Sequence, residues 1–265
     1  MNLQIKGKTA FLAGGSKGIG RDVALQLAQE GCRVGVIART LADIDKTVSD
    51  IVNQGGEAIG IQADITTRDG IHHALAQLRN HYGDPLIVVG QAKHNVPGDF
   101  ADITDSQHYL DAFNAYTISQ IELLHAVLPA MKAAGWGRFI HIGSATAKEP
   151  QGYIHHAIAN TTRPSTIGML KTVADEVASH GITVNTVAPG WVATPNACAY
   201  IEKHVGLRTA EERQAWMKDV ARVPAARMGE SVEVASLVTY LCSDMAGYIN
   251  GKWIEVDGGQ HRAMF

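Results

Sequence analysis

Residues 9–20 read Thr9-Ala10-Phe11-Leu12-Ala13-Gly14-Gly15-Ser16-Lys17-Gly18-Ile19-Gly20. A short apolar run of strand character enters a glycine-rich loop, and an amphipathic helical pattern opens from Gly18. Gly14 permits a tight turn, and Gly18 and Gly20 let backbone and helix approach a pyrophosphate. The helix N-terminus then favours the negative charge. Many turns are glycine-rich. The strand before this loop and the helix behind it make the pattern specific.

The same alternation continues outward along the chain. Strands are expected at Thr9–Ala13, Arg33–Ala38, Ala58–Gln62, Leu86–Val89, Arg138–Ile142, Thr183–Ala188 and Trp253–Val256. Helical patterns lie between them, near 18–30, 41–54, 67–82, 105–134, 154–179 and 231–242. Such alternation means βαβ units with right-handed crossovers, so ligands sit beyond the carboxyl ends of the strands. The expected fold class is α/β: a single-domain Rossmann fold over 1–265, doubly wound, with a mostly parallel seven-stranded sheet and helices on both faces. At 265 residues, with no linker and no internal repeat, one domain suffices. Residues 191–230 depart from the alternation. Their charged, helical-looking stretch TAEERQAWMKDVARV follows the sixth strand and reads as a cover over the ligand crevice.

A net charge of -3 offers no basic stripe for nucleic acid and no polybasic face for a membrane. No uninterrupted apolar run reaches the ~18 residues of a spanning helix. The N-terminus runs straight into the first strand without a signal-peptide pattern. Cys32, Cys198 and Cys242 lie far apart, which fits a reducing compartment. A cytoplasmic protein is expected. Twelve histidines invite a metal reading, but His72-His73 and His155-His156 are adjacent pairs whose side chains diverge on a helix, and no HExxH or Cys/His cluster occurs.

With these motifs in view, the whole chain resembles the short-chain dehydrogenase/reductase family. The glycine spacing is the family's. Asp64, in Gln62-Ala63-Asp64-Ile65, occupies the position of its adenine-contacting acid, with Ile65 beside it. Asn185, in GITVNTVAPG, precedes a loop in which Pro189, Gly190, Val192 and Thr194 match the segment that meets the nicotinamide carboxamide and phosphates. Gly14, Ser16, Lys17, Gly18, Ile19 and Gly20, together with Gly90 after strand four, complete the expected cofactor set. The tail GYINGKWIEVDGG resembles the family's C-terminal strand and tetramer-forming end, which implies a homotetramer or dimer. NAD-specific members carry an acid at the end of strand two. Here Ala38 and Arg39 stand there, and Arg39 can hold a 2′-phosphate, with Lys17 a second cation. NADP(H) is therefore preferred, with NAD(H) possible.

The catalytic pattern departs from the family. There a tyrosine passes the proton, a lysine four residues later lowers its pKa, a serine binds the substrate oxygen, and an asparagine supports a water relay. Ser144, in FIHIGSATA, takes the serine position. Counted back from Asn185, the tyrosine position falls on Ala159 and the lysine position on Arg163; the asparagine position falls on Tyr116. Val88-Val89-Gly90-Gln91 stands for the family's NNAG, and Ala13 for the threonine that braces it, so two coupled positions change together. Candidate replacements for the proton donor are Tyr116, Tyr153 and His156, with Arg163 as a cation or as the holder of a water. Tyr116 reads equally as a bulky plug. Three functions stay open: a divergent NADP(H)-dependent oxidoreductase on a small carbonyl or alcohol, an inactive subunit of a homo- or hetero-oligomer with an active relative, and a non-redox dehydratase, epimerase or lyase.

Overall fold

The computed structural model describes residues 2–91, 96–151 and 156–262. Seven strands form one sheet: β1 (Thr9–Ala13), β2 (Arg33–Ala38), β3 (Glu57–Gln62), β4 (Ile87–Gly90), β5 (Gly137–Ile142), β6 (Ile182–Pro189) and β7 (Trp253–Val256). Their order is β3-β2-β1-β4-β5-β6-β7. All six pairings are parallel, so the sheet is wholly rather than mostly parallel. Strand order reverses between β1 and β4, and the crevice of a doubly wound sheet opens at that switch point.

Helices cover both faces. Helices α1 (Gly18–Gln29), α2 (Leu41–Asn53) and a late helix over Ser231–Leu241 bury one core with Leu12, Val36, Ile140 and Val187. On the other face α3 (Arg68–Tyr82) packs with helices over Ser119–Ala134 and Ala157–Val177 against Phe11, Val88, Phe139 and Val184. Alternate residues of each strand serve opposite cores, as the pleat requires. Phe11 and Phe139 are fully buried, each stabilising the fold by roughly 2–3 kcal/mol. Chain punctuation follows local chemistry. Thr67 Oγ1 accepts from Gly70 N at 3.1 Å and caps α3.

The expected helix over 105–134 is not continuous. It comprises α4 (Gln107–Phe113), a π-helical turn at Asn114–Ile118 and α5 (Ser119–Ala134). Thr166 donates to the Tyr116 carbonyl at 3.1 Å, and Thr117 Oγ1 lies 2.8 Å from Ser165 Oγ. One hydroxyl of the neighbouring helix thus bonds a carbonyl of the widened turn and another bonds a side chain on it; such turns are frequent at functional sites. That neighbour, α6 (Ala157–Val177), begins after His156.

Residues 191–230 contain two helices, α7 (Pro195–Val205) and α8 (Ala210–Asp219), before α9 (Ser231–Leu241). They carry a small core of their own, in which Ile201 and Met217 are buried and Trp191 meets Trp216 edge-on at 5.5 Å. No helix of the described residues is long and apolar enough to cross a membrane.

Candidate active site

Two cavities adjoin at the carboxyl ends of β1 and β4 and share Lys17, Gln91 and Asn196. The outer one, about 310 Å³, holds Gly14, Ser16, Arg39, Asp64 and Ile65. The inner one, about 270 Å³, holds Gly18, Ile19, Pro189, Gly190, Val192 and Thr194.

The loop glycines have separable jobs. Gly14 adopts φ +69°, the left-handed turn that glycine allows. A side chain on Gly18 would strike the Thr194 methyl at 2.9 Å, so its absence lets the loop close on the cap of α7. A Cβ on Gly20 would fall 2.3 Å from the Gly14 carbonyl. Gly20 lines neither cavity; its missing side chain lets α1 pack against its own loop. Gly90 also lines neither cavity, and the space of its missing side chain belongs to the buried Gln120. The lining residue after β4 is Gln91, whose Oε1 is buried with no hydrogen-bond partner among the described residues.

Charge in the outer cavity is less simple than expected. Arg39 lines it, and Gln62 holds the Arg39 carbonyl at 2.8 Å. Lys17 is not a free cation, because its Nζ lies 2.7 Å from Asp43 Oδ2 on the first turn of α2. Asp64 accepts from Thr66 N and Oγ1 at 3.0 and 2.8 Å, fixing the turn that presents it to the cavity.

The inner cavity brings together Ser144, Tyr116, His156 and Arg163. Ser144 Oγ lies 3.1 Å from Thr146 Oγ1, and Arg163 Nη1 donates to that same Thr146 oxygen at 2.7 Å. The guanidinium stands over the Tyr116 ring at 5.4 Å, a cation–π pair. Tyr116 is 7 % exposed and walls the cavity without filling it. His156 precedes α6 but its ring makes no cap there; instead Nε2 lies 2.8 Å from the Tyr200 hydroxyl of α7. Burial, then Arg163 and His204, push the His156 pKa down to about 4, so its ring is neutral near pH 7. His204 stacks on the Tyr200 ring at 4.6 Å. Tyr153 lies outside the described residues. Ala159 is buried on α6, one turn before Arg163.

Lining residues that escaped the sequence reading include His141, Asn196, Trp191 and Tyr200. His141 shares a face of β5 with Phe139, two residues before it. Its pKa falls to about 4, chiefly through burial, with a contact to the Gly90 backbone opposing and Arg163 adding to the fall. Tyr200 carried no signal, because nothing local says that α7 folds back over the crevice.

A family model described as Enoyl-(Acyl carrier protein) reductase matches residues 13–261. The 3-oxoacyl-acyl-carrier-protein reductases of Pseudomonas aeruginosa and Escherichia coli are 31% and 32% identical over 260 residues, each alignment covering 98% of this chain and 99% of the relative. The chain belongs to the short-chain dehydrogenase/reductase family. Among solved structures, L-sorbose reductase from Gluconobacter frateurii, complexed with NADPH and L-sorbose, superposes with a TM-score of 0.91 at 25% identity over 100% of both chains. YwfH, an NADPH-dependent reductase involved in bacilysin biosynthesis, gives 0.89 at 25% identity, covering 97% of this chain and 99% of its own. The short-chain dehydrogenase/reductase sheet, helices and crevice are thus present from end to end.

Proposed function

We propose that the chain is an NADP(H)-dependent oxidoreductase for a small carbonyl or hydroxyl substrate, whose proton comes from a non-standard donor. The observation that carries this reading is the continuity of the two cavities, with the glycine loop, Arg39 and Asp64 on one side and Ser144 with the His156–Tyr200 pair on the other. The glycine cradle fits a dinucleotide. Gly14 needs its left-handed backbone, a Cβ at Gly18 would intrude on Thr194, and Gln91, whose Oε1 has no hydrogen-bond partner among the described residues, lines both cavities. Arg39 and Lys17 at the outer cavity favour the 2′-phosphate, with NADPH complexes of the Gluconobacter relative in support.

When bound, the nicotinamide supplies or receives hydride. Gly18, Ile19, Pro189, Gly190 and Thr194 would hold its half of the cofactor, and Gly14, Ser16, Arg39, Asp64 and Ile65 the adenosine half. Ser144, steadied through Thr146 by Arg163, binds the substrate oxygen. Ala159, at the family's tyrosine position, has no proton to give. Tyr200 is the phenol placed to donate instead. Burial raises its pKa, so it remains protonated, and neutral His156 can accept from it or relay a proton. Residues 191–230 then act as the cover that carries the acid into place. Tyr116 forms the wall beneath Arg163. Exposed Phe100, Leu110 and Phe113 on and before α4 favour a homo-oligomer.

Fluorescence titration with NADPH and NADH, followed by a carbonyl panel watched at the nicotinamide absorbance, tests the reading. Tighter NADPH binding with loss of absorbance is expected. Absence of NADPH binding, or tighter NADH, overturns it.

A further inference from the structure

The inner cavity has an unbalanced charge. Among the described residues no Asp or Glu lines it, while Lys17 and Arg163 both do. The two cations differ in their surroundings. Lys17 is held by Asp43, 2.7 Å away in the outer cavity. Arg163 meets a neutral hydroxyl, Thr146 Oγ1, and the face of Tyr116. A guanidinium carries five N–H donors and stays cationic at working pH. A half-buried cation without a counter-charge is disfavoured, and an arriving anion reverses that cost.

The neighbours do not offset the charge. His141 and His156 both line the same cavity and are held neutral near pH 7, partly by Arg163 itself. His141 is 5 % exposed and contacts the Gly90 backbone, so it brings no negative charge to the guanidinium. Trp191, Tyr200 and Tyr116 give the rest of the wall flat, apolar surface.

We propose that the substrate of the inner cavity is an organic anion, a small carboxylate whose charged end is received by Arg163. The proposal rests on the oxidoreductase reading above for its setting, since it concerns the pocket next to the nicotinamide half. A carboxylate matches the planar fork of arginine with two parallel hydrogen bonds, which a lysine at the same position cannot supply. Arg163 then holds Thr146, and through it Ser144, on one side while gripping the substrate on the other. One residue would link recognition of the anion to the serine that binds the reacting oxygen.

The test is a pair of near-isosteric probes, benzoate and benzamide, titrated by calorimetry into the full-length protein saturated with NADPH. NADPH binding is measured first and separately, so that failure of the cofactor reading is seen before either probe is added. Benzoate is expected to bind at least tenfold tighter than benzamide to the wild type. Arg163→Gln should erase that preference while changing the NADPH Kd less than threefold, and Arg163→Lys should restore part of it. Equal affinity of the two probes for the wild type overturns the proposal, and this comparison holds even if a variant fails to fold. So does a benzoate preference that survives in Arg163→Gln. A tenfold loss of NADPH affinity in Arg163→Gln with the benzoate preference unchanged would assign the guanidinium to the cofactor and also overturn it.

Discussion

The His156 Nε2 atom lies 2.8 Å from the Tyr200 hydroxyl, joining the start of α6 to the first helix of the 191–230 insert across the inner cavity. Helix α7 therefore brings a phenol to the crevice, facing the start of the helix that carries Ala159. His156 and Tyr200 are 44 residues apart, and only the fold makes them partners.

If Tyr200 is the donor, Tyr200→Phe should lower kcat by roughly 10²–10⁴-fold, the usual worth of a positioned acid. NADPH binding should stay within threefold. Steady-state kinetics beside NADPH titration reads both. Unchanged kcat would return Tyr200 to a packing role against His204 and shift attention to Tyr116, for which Tyr116→Phe is the matching variant.

The pH profile follows from the same pair. His156 is neutral above about pH 4, and the Tyr200 phenol is raised above its ordinary value. Reduction should show no acid-side inflection near 6.5 and should decline only on the alkaline side, where the phenol ionises. A clear inflection between pH 6 and 7 that disappears in His156→Gln would place the imidazole, charged, in the donor role.

Asp43 competes for Lys17 at 2.7 Å. Asp43→Asn should tighten NADPH binding severalfold and leave NADH nearly unchanged, because a freed ammonium favours the extra phosphate. Arg39→Ala should weaken NADPH by about 1.5–3 kcal/mol, the range for a hydrogen bond to a charged group, with little effect on NADH. Equal losses for both cofactors would detach Arg39 from the 2′-phosphate.

Stability should fall in acid through His141. Its folded pKa of about 4 lies below the ordinary value of 6.5, so between these limits the unfolded chain binds a proton that the folded chain refuses. The stability present above pH 6.5 is lost as pH drops toward 4, by about 3 kcal/mol at most. Denaturant melts at pH 7 and pH 4.5 should show a larger difference for the wild type than for His141→Asn. Identical differences would mean that His141 does not set the acid limit.

Gly20 and Gly168 make an internal comparison. Gly20→Ala would place a Cβ 2.3 Å from the Gly14 carbonyl, whereas a Cβ at Gly168, exposed on α6, meets nothing within 4 Å. Gly20→Ala should lower Tm by several degrees and weaken NADPH binding. Gly168→Ala should raise stability by roughly 0.5–1 kcal/mol through helix propensity. Thermal melts of both variants check the pair.

Much of the molecule was legible along the chain. The strand β1 with its glycine loop and the seven strands of the sheet follow from local signals: short apolar runs, helical periodicity and glycine at turns. These patterns are written within a few residues of one another, and backbone sterics and apolar burial act at that range. Tertiary structure alone decided that Gly20 packs α1 onto its loop, that Gln120 takes the space at Gly90, that Asp43 claims Lys17, and that Tyr200 reaches His156. Each of these is a contact between elements, set by how helices seat on a twisted sheet. Side-chain chemistry gives the range of possible partners, but proximity in three dimensions selects among them, and no spacing in the sequence encodes it.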